Sequence, residues 1–376
     1  MKSIKTVAKI NLISSLIFLF SLIAWIGLTT DYFKINDQVQ VLGVQQKQVK
    51  KDILRQIGRR NEAQAKNLLQ NTIKIDQEST EVIEKQLALK KKAAPKRKEN
   101  VGSIYLPAHA AAVLDVDSEK FLYRQKAEKH LPIASLTKLM TALVVIDNLP
   151  DVKREVVTID QETCQVPTTI IGCPTSTYCF SDTLKVGEKV KAKDLLEAML
   201  VNSANDAAVA LAKQVAGSQE KFTELMNKKA REIGLRDSHF CNPSGLDPDD
   251  EAEIKKCYSS AADVAKLVVY ALKNKRYQSL WPIFKIKEKW FYSVDGKYKH
   301  RYATTNILLD SMSNCEGAKT GFTYEAGKTL MMIAHHPRYP EKKVVGVLLN
   351  DPYRFEDIQK LFNWVFASHT WPVDQD

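Results

Sequence analysis

Ala134-Ser135-Leu136-Thr137-Lys138-Leu139-Met140-Thr141 is the stretch on which the reading of this chain turns. It follows Leu131-Pro132-Ile133 and runs into Ala142-Leu143-Val144-Val145, an apolar helical pattern that Pro132 is suited to open. On a helix, positions three apart share a face, which sets the Lys138 amine beside the Ser135 hydroxyl. A serine hydroxyl is a weak nucleophile until a neighbouring base takes its proton. A buried lysine serves as that base, because desolvation lowers its pKa toward neutrality. The helix N-terminus also favours negative charge developing there. Taken alone, S-x-x-K reads equally well as a capping serine and a surface lysine.

Two further strings change that balance. Ser203-Ala204-Asn205 follows the apolar helical run Leu195-Leu196-Glu197-Ala198-Met199-Leu200-Val201-Asn202, so a helix delivers a short polar turn into a cleft. A hydroxyl and an amide there can relay a proton and hold a peptide carbonyl. Lys319-Thr320-Gly321, then Phe322-Thr323, sets a lysine and a threonine on an edge strand, where they can bind a carboxylate. Gly321 would let extended substrate backbone come close. Each string alone is common in turns and loops. In order, S-x-x-K then S-x-N then K-T-G is the set of penicillin-binding proteins and class A β-lactamases.

On these residues the chain resembles the D-alanyl-D-alanine carboxypeptidases, the low-molecular-mass penicillin-binding proteins of serine peptidase family S11. The resemblance runs over residues 110–366 and includes Val201-Asn202-Ser203-Ala204-Asn205-Asp206. It extends to His239-Phe240-Cys241-Asn242-Pro243-Ser244-Gly245-Leu246, Tyr258-Ser259-Ser260-Ala261-Ala262-Asp263, Thr304-Thr305-Asn306-Ile307-Leu308-Leu309, Ala318 through Thr323, and Ala326-Gly327. It implies an α/β (α+β) fold of the β-lactamase/DD-peptidase kind, with an antiparallel sheet flanked by helices and an all-helical subdomain. Ser135 would be the acylated nucleophile and Lys138 its general base. Ser203 would pass the proton to the leaving group, and Asn205 would hold the peptide or Lys138. Lys319 and Thr320 would bind the terminal carboxylate, beside Gly321. The backbone N–H groups of Ser135 and Phe322 would form the oxyanion hole. The implied substrates are peptidoglycan stem peptides, with β-lactams as covalent inhibitors. Three departures stand out: Thr304-Thr305-Asn306 where Asn-Thr-Asn is usual, Asn314-Cys315-Glu316-Gly317 before the third motif, and an insertion at residues 164–179 that could cover the cleft.

Outward from the motifs, the chain divides by charge. It has 376 residues and a net charge of +11. The first 100 residues hold 19 Lys and Arg against 9 Asp and Glu, and the remainder 36 against 35. The basicity therefore lies outside the motif-bearing part, which argues against a nucleic-acid partner. Residues 12–28 are almost wholly apolar and follow Lys2, Lys5 and Lys9. This run approaches the ~20 residues that cross a bilayer. The lysines place the N-terminus in the cytoplasm and the rest outside. Small residues of an A-x-A cleavage site are missing around Trp25-Ile26 and Asp31-Tyr32, so an uncleaved anchor is expected over a signal peptide.

Residues 31–89 read as a helical stalk. Leu42, Val49, Ile53, Ile57, Leu68, Ile75, Val82 and Leu89 partly keep a heptad spacing, which suggests self-association, with a solitary solvated helix as the alternative. Residues 90–103, with Lys90-Lys91-Lys92 and Lys96-Arg97-Lys98, read as a basic hinge. The boundaries expected are thus an anchor at 1–30, a stalk at 31–89, a hinge at 90–103, a catalytic domain at 104–368 and a tail at 369–376. Within the domain, strands are expected at 110–116, 121–125, 329–334 and 344–349, and a last helix at 355–366. Only ten residues follow Phe366, so a C-terminal β domain is expected to be missing and the anchor to lie at the N-terminus.

Other readings fare worse. A class A β-lactamase would carry a deacylating Glu-x-x-x-Asn, and no Glu between Ser203 and Lys319 has Asn four residues on. An endopeptidase cutting D-alanyl cross-links would use the same residues. A non-catalytic wall-binding protein would be expected to have lost Ser135 or Lys138. The seven histidines form no His-Glu-x-x-His, and only His335-His336 are adjacent, so neither metal nor cofactor is expected. The six cysteines show no CxxC spacing. In an exported domain Cys173 with Cys179 and Cys241 with Cys257 are candidate disulfides, with free buried thiols as the alternative.

Overall fold

The computed structural model describes residues 93–174 and 178–372. The expected anchor and stalk lie outside the described residues. Among the described residues no helix is long and apolar enough to cross a membrane. Ala94–Thr370 form one compact unit.

Its elements run β1 (Lys96–Arg97), β2 (Ala110–Asp115), β3 (Phe121–Gln125), a 3-10 turn (Ala134–Leu136), α1 (Thr137–Asn148), β4 (Val156–Thr158), α2 (Gln161–Cys164) and β5 (Lys189–Lys191). Then come α3 (Ala192–Val201), α4 (Asn205–Ala216), α5 (Gln219–Ile233), α6 (Glu251–Ile254), α7 (Ala261–Lys273) and a 3-10 segment (Lys275–Lys285). The last are β6 (Glu288–Tyr292), β7 (Lys299–Ala303), β8 (Cys315–Thr323), β9 (Gly327–His335), β10 (Lys343–Leu349), α8 (Arg354–Ser368) and β11 (His369–Thr370).

Five strands form an antiparallel sheet in the order β3-β2-β10-β9-β8. Side chains alternate faces along a strand, so the register sorts them. Val345, Val347 and Leu349 of β10 join Ala110, Ala112 and Leu114 of β2 and Met331 and Ile333 of β9 in the main apolar core. There α7 packs on β2 and β10. On the other face α8 lies over β9 and β10. A Cβ on Gly346 would fall 2.6 Å from Phe362 Cε1, so glycine is what admits α8 so closely. With both faces covered, β2 and β10 read as unbroken apolar runs rather than alternating ones. Each fully buried aliphatic side chain in such a core contributes about 1.5–3 kcal/mol.

The helical lobe is α1, α3, α4 and α5, packed around one another. Two of its helices end on left-handed glycines, Gly217 after α4 and Gly234 after α5, and Ser218 Oγ caps α5 by accepting from Lys221 N. The fold is thus an antiparallel sheet between helices with a helical lobe beside it, as expected.

The differences lie at the edges. The basic hinge expected at 90–103 is partly structured: Lys96–Arg97 pair antiparallel with His369–Thr370, residues of the expected tail, and Lys98 Nζ donates to Ala367 O at 2.8 Å. The compact unit therefore begins at Ala94. Backbone pairing does not depend on side-chain charge, so a basic tract can form a strand when its partner lies opposite. The β6–β7 hairpin and the full length of β8 carry no alternation strong enough to stand out in the sequence.

Candidate active site

Ser135 sits in the 3-10 turn that opens α1, half-buried at the junction of sheet and helical lobe. Ala134, just before it, has φ of +49°, a left-handed value for a residue with a side chain. That conformation is held from outside. A Cβ on Gly245 would fall 2.0 Å from Ala134 O, so the 239–246 segment packs directly against the turn. Gly245 itself has φ of +77°. Asn242 Oδ1 accepts from Ser244 N and Gly245 N, which builds the tight loop. Strain of this kind persists only where its surroundings over-determine it.

Lys138 is wholly buried. Its Nζ donates to Ser135 Oγ at 2.8 Å, Asn205 Oδ1 at 2.7 Å and Ser244 O at 2.6 Å. No carboxylate is among these partners. Burial pushes its pKa well below the ordinary lysine value, Lys319 adds to that, and Asp206 opposes it. A neutral amine at 2.8 Å from a serine hydroxyl can take its proton.

Asn205 opens α4, and its side chain is fully engaged. Its Oδ1 accepts from Lys138, and its Nδ2 donates to Thr168 O at 2.7 Å and Pro167 O at 3.3 Å. Of the two roles that the sequence left open for Asn205, the contact made is with Lys138. The insertion is the prop behind it: Asn205 N donates to Thr169 O at 2.8 Å, and Asp206 accepts from Ile171 N. Thr168 and Thr169 both have positive φ, as does Ser203 at +65°. Burial raises the Asp206 carboxyl to about 7.

Ser203 and Lys319 form the other half of the site. Lys319 Nζ donates to Ser203 Oγ at 2.8 Å and to Thr320 O at 2.9 Å, and it too is buried. Burial lowers its pKa to about 7, with the charge of Arg354 adding to the effect. Thr320 Oγ1 lies 2.6 Å from Thr305 Oγ1. Phe322 is exposed at the mouth, 5.8 Å from Tyr324 ring to ring.

Gly321 needs its missing side chain for a different reason from the one expected. A Cβ there would lie 2.4 Å from Thr329 Oγ1, 3.0 Å from Ser135 N and 3.1 Å from Ala134 Cβ. What comes close is this chain's own Ala134–Ser135 turn. Strand β8 can therefore lie beside the Ser135 amide, with Phe322 the next residue along.

Motif reading missed several residues. Arg354, at the start of α8, donates through Nη1 to Gly321 O at 2.6 Å and Thr329 O at 3.2 Å, which puts a half-buried cation behind β8. Thr305 lies within a resembling string but was given no role. Ser244 acts through a backbone carbonyl, which leaves no trace in side-chain identity. Both candidate disulfides, Cys173–Cys179 and Cys241–Cys257, are formed, while Cys164 and Cys315 are free.

Comparison with known proteins agrees with this geometry. The family model described as D-alanyl-D-alanine carboxypeptidase, peptidase S11, matches residues 96–352. The chain is 30% identical over 262 residues to the D-alanyl-D-alanine carboxypeptidase DacF of Bacillus subtilis, across 70% of this chain and 63% of DacF. It is also 30% identical to a D-alanyl-D-alanine endopeptidase of Pseudomonas aeruginosa, across 69% of this chain and 77% of that protein. Among solved structures it is similar to the Streptomyces K15 DD-transpeptidase, with a TM-score of 0.60 and 26% identity, covering 71% of this chain and all of that one. Penicillin binding protein 5 of Haemophilus influenzae matches with a TM-score of 0.59 and 28% identity, covering 71% of this chain and 73% of that one. With its Ser–Lys pair, its Ser–Asn turn and its Lys-Thr-Gly strand assembled on this fold, the chain belongs to the S11 family of D-alanyl-D-alanine carboxypeptidases.

Proposed function

We propose that the protein is a serine-type D-alanyl-D-alanine carboxypeptidase that trims peptidoglycan stem peptides through an acyl-enzyme on Ser135. The observation that carries this is the buried Lys138 amine, 2.8 Å from Ser135 Oγ and without a carboxylate partner. Neutral Lys138 takes the Ser135 proton as Oγ attacks the carbonyl between the two D-alanines. The oxyanion is held by the N–H groups of Ser135 and Phe322, each worth about 3 kcal/mol. Ser203, tied to Lys319, passes a proton to the leaving amine as the C–N bond breaks, and D-alanine departs. Water then hydrolyses the ester and restores Ser135. Lys319 and Arg354 supply the positive end, and Thr320 a hydroxyl donor, for a terminal carboxylate. A β-lactam carries the same carboxylate and carbonyl, so it acylates Ser135 as well.

Residues 12–28 serve as a single membrane span, with the domain held outside the cytoplasm on the stalk of residues 31–89. The apolar run and the preceding lysines support this.

A second reading is a D-alanyl endopeptidase that cuts cross-links. It is supported by two matched relatives named D-alanyl-D-alanine endopeptidase, 30% and 28% identical to this chain. Product analysis separates the two. The full chain is incubated with monomeric pentapeptide and with cross-linked muropeptide dimers. D-Alanine release from the monomer is expected, and dimer cleavage without it would assign the second activity. Ser135→Ala is expected to lose all penicillin labelling, and labelling that persists would remove Ser135 from its role.

A further inference from the structure

The outer face of the β6–β7 hairpin carries an ordered stack that the chemistry above leaves unused. Register sets Trp290 opposite Arg301 and Tyr292 opposite Lys299. The alternate residues Phe291, His300 and Tyr302 point inward and are buried. The four others therefore share the outer face. Along it cations and rings alternate. Arg301 Cζ lies 4.7 Å from the Phe180 ring centre and 5.7 Å from that of Trp290. Lys299 Nζ lies 4.4 Å from Trp290 and 5.7 Å from Tyr292. Trp290 and Tyr292 stay 43% and 53% exposed.

The hairpin turn is joined to a second basic surface. Val294 N donates to Lys189 O at 2.8 Å on β5, where Lys189 and Lys191 are both exposed. Lys189, Lys191 and Lys299 have no carboxylate partner among the described residues, unlike Lys289 and Lys297 nearby. Arg301 is paired with Glu288, so the surface is a row of rings whose unneutralised cations are Lys299, Lys189 and Lys191. Such a row suits an anionic polymer with ring faces, since aromatic faces take the C–H faces of sugars and the cations take carboxylates. Stacking against the rings orders the cations beforehand, which reduces the cost of binding.

Its location selects the polymer. Arg301 lies four residues before Thr305, whose hydroxyl meets Thr320 in the cleft. At ~3.3 Å per residue the backbone from Arg301 to Thr305 spans at most about 13 Å. We propose that this face binds the glycan strand of peptidoglycan, with sugar rings on Trp290 and Tyr292 and stem-peptide carboxylates on Lys189, Lys191 and Lys299. One strand is then held while one of its stems enters the cleft. The inference rests on the wall-peptide reading of the site.

The test is co-sedimentation of the full chain, in detergent, with sacculi stripped of covalently attached phosphate polymers. Two variants are compared: Trp290→Ala with Tyr292→Ala, and the triple charge reversal Lys189→Glu, Lys191→Glu, Lys299→Glu. Each is expected to be retained roughly tenfold more weakly. Turnover of a soluble pentapeptide is expected to stay at the wild-type rate. If the double variant fails to fold, seen as loss of penicillin labelling, Tyr292→Ala alone and the charge reversal carry the test. Wild-type retention in the folded variants overturns the proposal. So does wild-type binding only to walls that keep their phosphate polymers, or only to vesicles of anionic lipid, since either gives the face to another partner. Loss of peptide turnover in the wild-type protein with retention on sacculi intact would instead overturn the catalytic reading alone.

Discussion

Two buried clusters in this molecule treat their lysines in opposite ways. In the cleft, Lys138 and Lys319 are bonded to hydroxyls, an amide and carbonyls, and burial drives both pKa values down. About one hairpin away, Lys289 donates to Asp194 at 2.9 Å and to Glu197. Burial would lower the pKa of Lys289 too, but hydrogen bonds to Glu197 and Asp194 win and raise it. Burial likewise works to raise Glu197, but bonds from Lys289 and Tyr302 hold it below its usual range. Next to this, His300 bonds Glu188 at 2.6 Å with both side chains fully buried, and its pKa rises despite desolvation because of that carboxylate. Where carboxylates are supplied, the cation is kept and cross-links the fold. Where they are withheld, the amine is pushed toward neutrality. Desolvation acts on both, and the partner decides the outcome.

That contrast can be broken in three ways. The largest effect is expected from Lys138→Met, which keeps a long apolar side chain in the buried slot but removes the base. Acylation by penicillin should slow by about 10²–10⁴-fold with the circular dichroism spectrum unchanged. A folded variant that acylates at the wild-type rate would take the base role from Lys138. Next comes Glu197→Gln, which leaves Tyr302 without its anionic acceptor and Lys289 with Asp194 alone. It should destabilise by about 2–3 kcal/mol in urea titration. Acylation per folded molecule should barely change. Because the folded pKa of Glu197 is depressed, its stabilisation is present above the unfolded carboxyl range and fades as pH falls through the folded value. The variant's deficit should therefore shrink in acid.

The smallest and most telling effect has the opposite sign. Lys319 has a folded pKa of about 7, below the unfolded lysine value. Between about 7 and ~10.4 the unfolded chain binds the extra proton, so native stability rises with pH across that window. Lys319→Met should flatten that rise and be more stable than wild type at pH 7, by about 1–2 kcal/mol. It should also lose peptide turnover, a trade of stability against function. Denaturant midpoints at pH 7 and pH 9 measure it. A variant less stable than wild type at pH 7 would mean that the bond to Ser203 outweighs the buried charge.

Legibility differed between these regions for physical reasons. The cleft residues were legible because chemistry restricts their identity and spacing: Ser135 and Lys138 on one helical face, Ser203 and Asn205 at a helix entry, Lys319 on a strand. The runs that form β2, β3, β9, β10 and α8 were legible because burial writes itself as apolar pattern, with ends shifted by two residues at most. Lys96–Arg97 misled as solvated hinge, since a ladder uses backbone groups that any residue carries. The acid–base cluster around Lys289 was invisible because Lys289 lies far along the chain from Asp194 and Glu197 of α3, and all three look like ordinary surface charges.

By itself the sequence determined the family, since three short strings of reactive side chains are recognisable wherever they occur in the fold. Tertiary structure decided what those side chains are next to. Ser244 O and the carbonyls of Pro167 and Thr168 position Lys138 and Asn205 with no side-chain signature. Gly321 is glycine because β8 must lie against the Ser135 turn, and Gly245 because its loop must lie against Ala134. Arg354 reaches the third motif only because α8 begins behind β8. Protonation, strain and close approach depend on neighbours across the fold, and only the folded chain supplies them.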